Sequence, residues 1–387
     1  MANKKGRRRF GWVRKLPSGR YQASYLGPDS QRRNAPETFE TKTAADQYLV
    51  KVESAMMAGE WTDPTRAKVK LGDYAERWIK ERPGLRPRTV ELYRWLLAKH
   101  IVPHLGGLEL GKLTTAVVRQ WRTGLLDQGI STSITAKSYR LLRAVMNTAV
   151  EEDRILPRNP CRVRGADQES PAERPVLTVA QVFDLAGRMP KRWRALVLMT
   201  AFATLRWGEV TALRRRDVAP DGSWVRVTVA YSEVPGRGLL LGPPKSKAGV
   251  RTLTVPEAIR PEIVKHLMTW VKAGDDALLF TGERGNAVRK SNFAQRVKWT
   301  ELVTKMGLKG LHFHDLRHAG NIWAAQAGSS TKDLMARMGH DDMRAALLYQ
   351  RATSDADQKI ADRLSDLVDK HRDGDHAEDD DQVDENQ

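Results

Sequence analysis

The sequence is poor in the features that mark secreted and membrane-spanning proteins. Only one of its 387 residues is cysteine, Cys161, which excludes an internal disulfide and is typical of a reducing compartment such as the cytoplasm. No apolar run reaches the roughly 18 residues that a membrane-spanning helix needs. The first residues are basic but lack an apolar stretch, so we expect no secretory signal. We therefore expect a cytoplasmic protein that makes no membrane contact.

Two common patterns of phosphate chemistry are also missing. We find no carboxylates spaced like the metal site of a two-metal nuclease, and no glycine-rich loop followed by Lys-Ser or Lys-Thr. These absences favour a chemistry that needs neither a metal ion nor a nucleotide cofactor. We therefore expect the protein to use no cofactor.

Acidic residues are scarce except at the C-terminal end of the chain. There are 65 basic residues against 47 acidic ones, for a formal net charge of +18. Residues 371–387 hold eight acids and one arginine, so the chain before them is even more basic than the total indicates. We expect that acidic tail to be disordered. The basic excess suits a polyanion such as nucleic acid, although a solvated basic surface or an anionic membrane would also explain it.

Residues 1–65 are predicted to form a small β-rich module. Period-2 alternation after a Pro-Ser-Gly turn predicts a strand over residues 20–26, and a helix begins near Thr43. A basic β-ribbon can enter the major groove of DNA, so we list three arginines as candidate DNA contacts. They are Arg14, Arg20 and Arg32. The alternative is a basic sheet whose aromatic residues merely form its core.

Residues 66–165 are predicted to form an all-α bundle. Four segments each have an apolar stripe at helical spacing, and short connections join them. They begin near Leu71, at Pro87, at Thr114 or Thr115, and at Thr132. The outer faces carry many arginines, among which Arg88 and Arg140 are candidate DNA contacts. Surface helices are often charged, so this pattern by itself is weak support for DNA binding.

Residues 175–370 are predicted to form a mixed, mainly helical domain after a linker rich in proline and arginine. Thr178-Val-Ala-Gln181 is a capping box that opens its first helix. Alternation predicts strands at 224–229 and 251–255, joined by a turn at 242–249. Helices are predicted at 179–188, 191–203, 256–271, 291–306, 315–327 and 331–338. The fold class is therefore multidomain: a β-rich module, a helical bundle, and a mainly-α domain with a small antiparallel sheet.

Several residues in this last domain are suited to binding and transferring a phosphoryl group. Arg206 lies where a helix ends, and Glu209 and Asp217 are near enough in sequence to orient its guanidinium. His314 and Arg317 share a helix face and can reach one oxyanion together. Lys247, in the predicted turn, could donate a proton to a departing oxygen. A structural Arg–Glu pair and a plain solvated turn are the alternatives.

Tyr349 and His340 complete the candidate set. A phenol has a pKa near 10 and attacks only where its proton is accepted and cations stabilise its anion. A core tyrosine is the alternative for Tyr349. A zinc hydrolase is another alternative, because His314 and His318 lie four residues apart and His312 could be a third ligand. The intervening acid is aspartate rather than the glutamate of such enzymes, and a hydrolase of this kind would not require the basic charge.

In order and spacing these residues resemble the tyrosine recombinase family of the phage-integrase type, over roughly residues 176–365. One departure is Thr204, because the family usually has glycine before the Leu-Arg of its first motif. The matching motifs are Thr204-Leu-Arg-Trp-Gly-Glu209, Lys245-Ser-Lys-Ala-Gly249, His314-Asp-Leu-Arg-His318, Met338-Gly-His340 and Tyr349.

The resemblance implies a role for each residue. Arg206, His314 and Arg317 would hold the scissile phosphate, and His340 would complete the pocket. Lys247 would protonate the 5′-hydroxyl, and Tyr349 would form a 3′-phosphotyrosine bond.

The resemblance also implies an organisation and a set of partners. Residues 66–165 would be a core-type DNA-binding domain, residues 1–65 an arm-type DNA-binding module and residues 175–370 the catalytic domain. The partners would be duplex attachment sites, three further copies of the chain in a tetramer, a host DNA-bending protein and an excisionase. A type IB topoisomerase and a DNA-binding regulator without catalysis are the remaining alternatives.

Overall fold

The computed structural model describes residues 10–59, 61–63, 65–169, 175–339, 341 and 343, and these form two compact units. The first unit contains the described residues up to 169, and the second contains those from 175 onward. His340, Tyr349 and the acidic tail at 371–387 lie outside the described residues.

The first unit opens with a three-stranded antiparallel sheet packed against one helix. The predicted strand is confirmed, and Ala23 and Tyr25 are fully buried on one of its faces, but burial does not alternate strictly because Ser24 is also buried. The helix begins slightly earlier than predicted, since Thr41 caps it by accepting a hydrogen bond from the backbone N–H of Ala44 at 3.1 Å. The elements are β1 (Trp12–Lys15), β2 (Tyr21–Leu26), β3 (Arg32–Asn34) and α1 (Lys42–Met57).

The predicted helical bundle follows in the same unit. Its helices are α2 (Leu71–Glu81), α3 (Pro87–Leu96), α4 (Val102–Leu105), α5 (Thr115–Asp127) and α6 (Thr132–Glu151). A π-helical turn joins α3 to the short α4, which the sequence pattern did not separate from α3. Thr114 caps α5 by accepting from the backbone N–H of Val117 at 3.3 Å. The four predicted segments are therefore confirmed as helices around one apolar core.

The second unit contains eight further helices among its described residues, and the predicted mainly-α character is confirmed. The capping box at Thr178 and Gln181 is present and opens the first of them. They are α7 (Val179–Arg188), α8 (Lys191–Phe202), α9 (Trp207–Val210), α10 (Arg260–Thr269), α11 (Lys290–Arg296), α12 (Trp299–Lys305), α13 (Phe313–Gln326) and α14 (Thr331–Met338). The single helix predicted over 291–306 is wrong: Lys298 has a φ of 48°, and this left-handed residue separates α11 from α12.

The sheet of this unit differs from the prediction in one respect that concerns the site. β4 (Trp224–Val227) pairs antiparallel with β7 (Arg251–Thr254), as predicted. A second hairpin, β5 (Ala230–Val234) with β6 (Gly238–Gly242), intervenes between them and was missed. Lys247 is therefore not at the tip of a hairpin between the two predicted strands. It begins a 3-10 turn at Lys247–Gly249, immediately before β7.

Helices α8 and α13 pack in direct backbone contact. Gly320 of α13 lies against the carbonyl of Ala201 in α8, so that a Cβ added there would overlap that oxygen. The close approach fixes α13, the helix that carries His314 and Arg317. No helix in the described ranges is both long and apolar enough to cross a membrane.

We predict that Gly320→Ala destabilises the second unit by about 1–3 kcal/mol, because the two helix backbones must separate to admit a methyl group. Gly187→Ala is the matched control: Gly187 is exposed in α7, and only the end of a flexible arginine lies within 4 Å of an added Cβ. The control should be neutral or stabilising by up to about 1 kcal/mol. Calorimetric unfolding of the full chain measures both, and equal effects would contradict the packing argument.

Candidate active site

A buried carboxylate, Glu209, lies at the centre of the candidate site. Its side chain is 1% exposed, and Oε1 accepts from Nη1 of Arg206 at 2.7 Å. Oε2 accepts from Nη2 of Arg251 at 3.0 Å and lies 3.7 Å from Nη1 of Arg317. Burial by itself would raise the pKa of Glu209, but the three guanidinium charges outweigh it and lower the pKa to about 2. Glu209 is therefore ionised at neutral pH.

The local chain path explains why Arg206 and Glu209 meet. Arg206 precedes the short helix α9, and Oε2 of Glu209 accepts the backbone N–H of Arg206 at 3.0 Å, as in a capping box. The expectation that Asp217 also orients Arg206 is wrong. Asp217 instead accepts from the backbone N–H of Arg214 at 2.9 Å, because it caps its own 3-10 turn in the same way.

Arg317 lies next to Arg206 although more than a hundred residues separate them in the chain. Its side chain is 3% exposed, and Nη2 donates to the carbonyl of Met338 at 2.5 Å. Nη1 donates to the carbonyl of Thr204. Arg206 is 23% exposed on its side chain and donates from Nη2 to the carbonyl of Gly339 at 3.2 Å. Both predicted arginines thus converge on Glu209 and on the end of α14.

His314 lies one turn before Arg317 in α13. Its side chain reaches the surface, but the surrounding protein limits its hydration. This desolvation, together with the charge of Arg317, lowers the pKa of His314 to about 4. The imidazole is therefore neutral at pH 7 and can either donate or accept a hydrogen bond.

Lys247 is exposed, and its turn is tied to the residues that follow α14. Ser246 Oγ donates to the carbonyl of Gly339 at 2.8 Å, and the backbone N–H of Ala248 donates to Oδ1 of Asp341 at 3.1 Å. The structure thus brings together Arg206, Glu209, Arg317 and the turn of Lys247. His340 and Tyr349 lie outside the described residues, so their positions remain predictions.

The sequence reasoning missed Arg251, which is nearly as buried as its carboxylate partner. A usable signal was present, because Arg251 and the buried Leu253 are two residues apart in β7 and point to the same face of the sheet. A charged residue on the same face of a strand as a buried leucine predicts a buried ion pair.

The described residues do not provide the metal site that the zinc alternative requires. Among them, no three His, Cys, Asp or Glu side chains lie close enough together to hold a metal ion. The rings of His314 and His318 are 5.5 Å apart between centroids. His312, the expected third ligand, has a side chain that is 65% exposed, and its Nδ1 lies 3.6 Å from Oδ2 of Asp315. Asp315 in turn accepts the backbone N–H of His312 at 2.7 Å, which is a helix-capping role.

The five candidate DNA contacts are exposed. In the sheet, Arg14 donates to Oε1 of Gln22 at 2.7 Å, and the guanidinium of Arg32 lies 4.6 Å from the ring centre of Trp12. These side chains occupy the face of the sheet opposite the buried Ala23 and Tyr25. Arg20, Arg88 and Arg140 lie elsewhere in the first unit. Arg20 donates to the Thr38 carbonyl at 2.6 Å, Arg88 is in the first turn of α3, and Arg140 pairs with Glu169.

The fold is that of the tyrosine recombinases. The Tn1549 transposon integrase in complex with transposon right end DNA superposes with a TM-score of 0.67 at 20% identity, covering 77% of this chain and 100% of that one. The lambda integrase tetramer bound to a Holliday junction superposes with a TM-score of 0.52 at 17% identity, covering 90% and 98%.

Sequence relatives are more similar still. The putative prophage phiRv2 integrase of Mycobacterium tuberculosis is 37% identical over 372 residues, which cover 94% of this chain and 97% of that protein. The integrase of Mycobacterium phage D29 is 36% identical over 376 residues, covering 93% and 98%. Three family descriptions match: phage integrase N-terminal domain (9–58), phage integrase N-terminal SAM-like domain (70–126) and phage integrase family (176–355).

The chain therefore belongs to the phage integrase family. It is a site-specific recombinase, which confirms the resemblance seen in the motifs, and nothing in the comparisons supports the topoisomerase alternative.

Thr204, the residue that departs from the family pattern, has a strained backbone. Its φ is 51°, a left-handed conformation that β-branched residues rarely adopt, yet it is buried and its carbonyl accepts from Arg317. The strain therefore lies at a residue that holds a candidate catalytic arginine.

We predict that the free energy of unfolding is about 1 kcal/mol larger for Thr204→Gly than for Thr204→Ala. Glycine adopts the left-handed backbone conformation without a steric penalty, whereas alanine retains that penalty. Both variants lose the same buried hydroxyl and methyl groups, so each controls for the other. Denaturant unfolding of the two proteins provides the comparison. If Thr204→Ala were the more stable variant, as alanine usually is relative to glycine, the backbone at residue 204 would not be strained.

Proposed function

We propose that this integrase cuts and rejoins duplex DNA at attachment sites through a 3′-phosphotyrosine bond to Tyr349, and so inserts or excises a phage or a related mobile element. The observation that carries the proposal is the convergence of Arg206 and Arg317 on one buried carboxylate, beside the turn that holds Lys247. Such a group of cations suits the nonbridging oxygens of a phosphodiester.

In the proposed reaction the charges of Arg206 and Arg317 stabilise the negative charge that develops on the scissile phosphate. Glu209 keeps both guanidinium groups oriented without cancelling their net charge, since it is one carboxylate among three arginines. His314 lies against the phosphate in this proposal and accepts the proton that the phenol of Tyr349 loses as its oxygen bonds to phosphorus. The anionic phosphate raises the proton affinity of His314 as the phenol approaches. His340 is the proposed further donor.

Each covalent step exchanges one phosphodiester bond for another. The oxygen of Tyr349 bonds to phosphorus, the bond to the 5′-oxygen breaks, and Lys247 protonates that oxygen as it leaves. The 5′-hydroxyl of a second strand then reverses the exchange and releases the tyrosine. Because the bond energy is conserved in the phosphotyrosine, the reaction requires no cofactor.

The proposed organisation and the further partners rest on the resemblance to the family. Residues 1–65 are the proposed arm-type module, 66–165 the core-type domain, 175–370 the catalytic domain and 371–387 an acidic tail. The face of Trp12, Arg14 and Arg32 is the proposed groove-binding surface of the arm module. The active assembly is a homotetramer on synapsed sites, helped by a host DNA-bending protein and an excisionase, in the cytoplasm at the nucleoid.

We predict that Tyr349→Phe binds its attachment site with unchanged affinity but forms no covalent adduct, because phenylalanine keeps the aromatic ring and lacks the nucleophilic oxygen. A nicked suicide substrate traps the adduct of the unaltered protein for denaturing electrophoresis. An adduct with the variant would place the nucleophile elsewhere. A two-site assay with the unaltered protein adds the functional test, since a nicking-closing enzyme would relax DNA without exchanging strands.

We predict that a chain beginning at Arg66 still cleaves a core site but integrates at least about tenfold less efficiently, because the arm module supplies its own DNA contacts. Core-site cleavage and two-site integration are measured on the same preparation. Arg14→Ala combined with Arg32→Ala in the full chain is the matched variant, and it should reproduce the integration defect. Undiminished integration by the shortened chain would refute the arm assignment.

A further inference from the structure

Arg251 joins three separate segments of the second unit. Its side chain is 6% exposed, and each of its three nitrogens donates in a different direction. Nη2 donates to Glu209 at 3.0 Å, Nη1 to the carbonyl of Gly249 at 3.0 Å, and Nε to the carbonyl of Arg337 at 2.9 Å. The planar guanidinium suits this task, and no other side chain presents donors in three fixed directions.

Each of the three segments carries or adjoins a group with a proposed role in the chemistry. Glu209 orients Arg206, Gly249 ends the turn that Lys247 begins, and Arg337 is three residues before His340. Arg251 thus connects the arginine that would bind the phosphate to the lysine that would protonate the leaving oxygen.

Two further hydrogen bonds hold the Lys247 turn to the end of α14. They run from Ser246 to the Gly339 carbonyl and from the Ala248 backbone to Asp341. Gly339 has a φ of 61°, and a Cβ added there would lie 2.9 Å from Nη1 of Arg251 and 3.0 Å from Cα of Gly249. The helix end and the turn are therefore packed backbone to backbone, with the guanidinium beside them.

Lys247 itself is exposed, and its turn is short, so the position of its ammonium group depends on what holds that turn. We propose that Arg251 is a positioning residue for the proton transfer: it holds the Lys247 turn against the end of α14, where Lys247 can reach the leaving 5′-oxygen. This inference rests on the proposed role of Lys247 as the general acid.

The test replaces the leaving 5′-oxygen of the DNA substrate with sulfur. In a suicide substrate with a 5′-bridging phosphorothiolate, the bond that breaks is P–S rather than P–O, and the thiolate leaves without needing a proton because a thiol is far more acidic than an alcohol. A variant that impairs only proton donation should therefore cleave the oxygen substrate slowly and the sulfur substrate at nearly the normal rate.

We expect Arg251→Gln to cleave the oxygen substrate about 10²-fold more slowly than the unaltered protein and the sulfur substrate within about threefold of it. Lys247→Ala is the positive control and should show the same recovery. Arg206→Lys is the negative control and should be slow on both substrates, because charge on the phosphate develops with either leaving group.

The outcomes separate the two proposals. If sulfur fails to restore Lys247→Ala, the role of Lys247 as the acid is wrong. If sulfur restores Lys247→Ala but not Arg251→Gln, the general acid stands and the positioning role of Arg251 is overturned. Should Arg251→Gln fail to fold by calorimetry, Ser246→Ala combined with Asp341→Ala decides instead. These changes loosen the same turn at exposed or half-buried sites, and a defect that sulfur does not restore would likewise overturn the inference.

Discussion

The second unit depends on the ion pairs between the buried carboxylate of Glu209 and three arginines. Moving a carboxylate out of water costs several kcal/mol, and here Arg206, Arg251 and Arg317 offset that cost by charge and by hydrogen bonds. The same carboxylate caps α9, so one group joins the turn after α8, strand β7 and helix α13. Removing one partner would leave the buried charge less well compensated, which would lower the stability of the second unit.

The end of α14 provides the second half of this arrangement. The last carbonyls of a helix have no partner within it and carry partial negative charge. Here the carbonyls of Arg337, Met338 and Gly339 accept hydrogen bonds from Arg251, Arg317 and Arg206 respectively. The guanidinium groups therefore cap the helix that leads to position 340. The positive charges of the clustered arginines would repel one another. The negative charge of Glu209 and the partial negative charge at the end of α14 balance them.

This arrangement suits the proposed chemistry. Phosphoryl exchange through tyrosine needs cations that are already oriented when the DNA arrives, because their reorganisation would otherwise add to the barrier. The contacts that orient them are internal to the protein, while Arg206 remains partly exposed. The backbone of Thr204 is left-handed at the point where its carbonyl accepts a hydrogen bond from Arg317.

The sequence by itself determined the class of fold, most helix positions, and the pairing of Arg206 with Glu209, because these follow from periodicity, capping and short spacing. Residue order and spacing also indicated the family. The cap that Asp217 provides for its own turn and the second hairpin are local features that the sequence pattern did not indicate. Tertiary structure alone decided that Arg251 joins Glu209 to the end of α14 and that Arg206 meets the carbonyl of Gly339. The physical reason is distance along the chain. Local patterns report contacts within a few residues, whereas the contact of Arg251 with Glu209 spans 42 residues and that of Arg206 with Gly339 spans 133, and only the packed core brings these partners together.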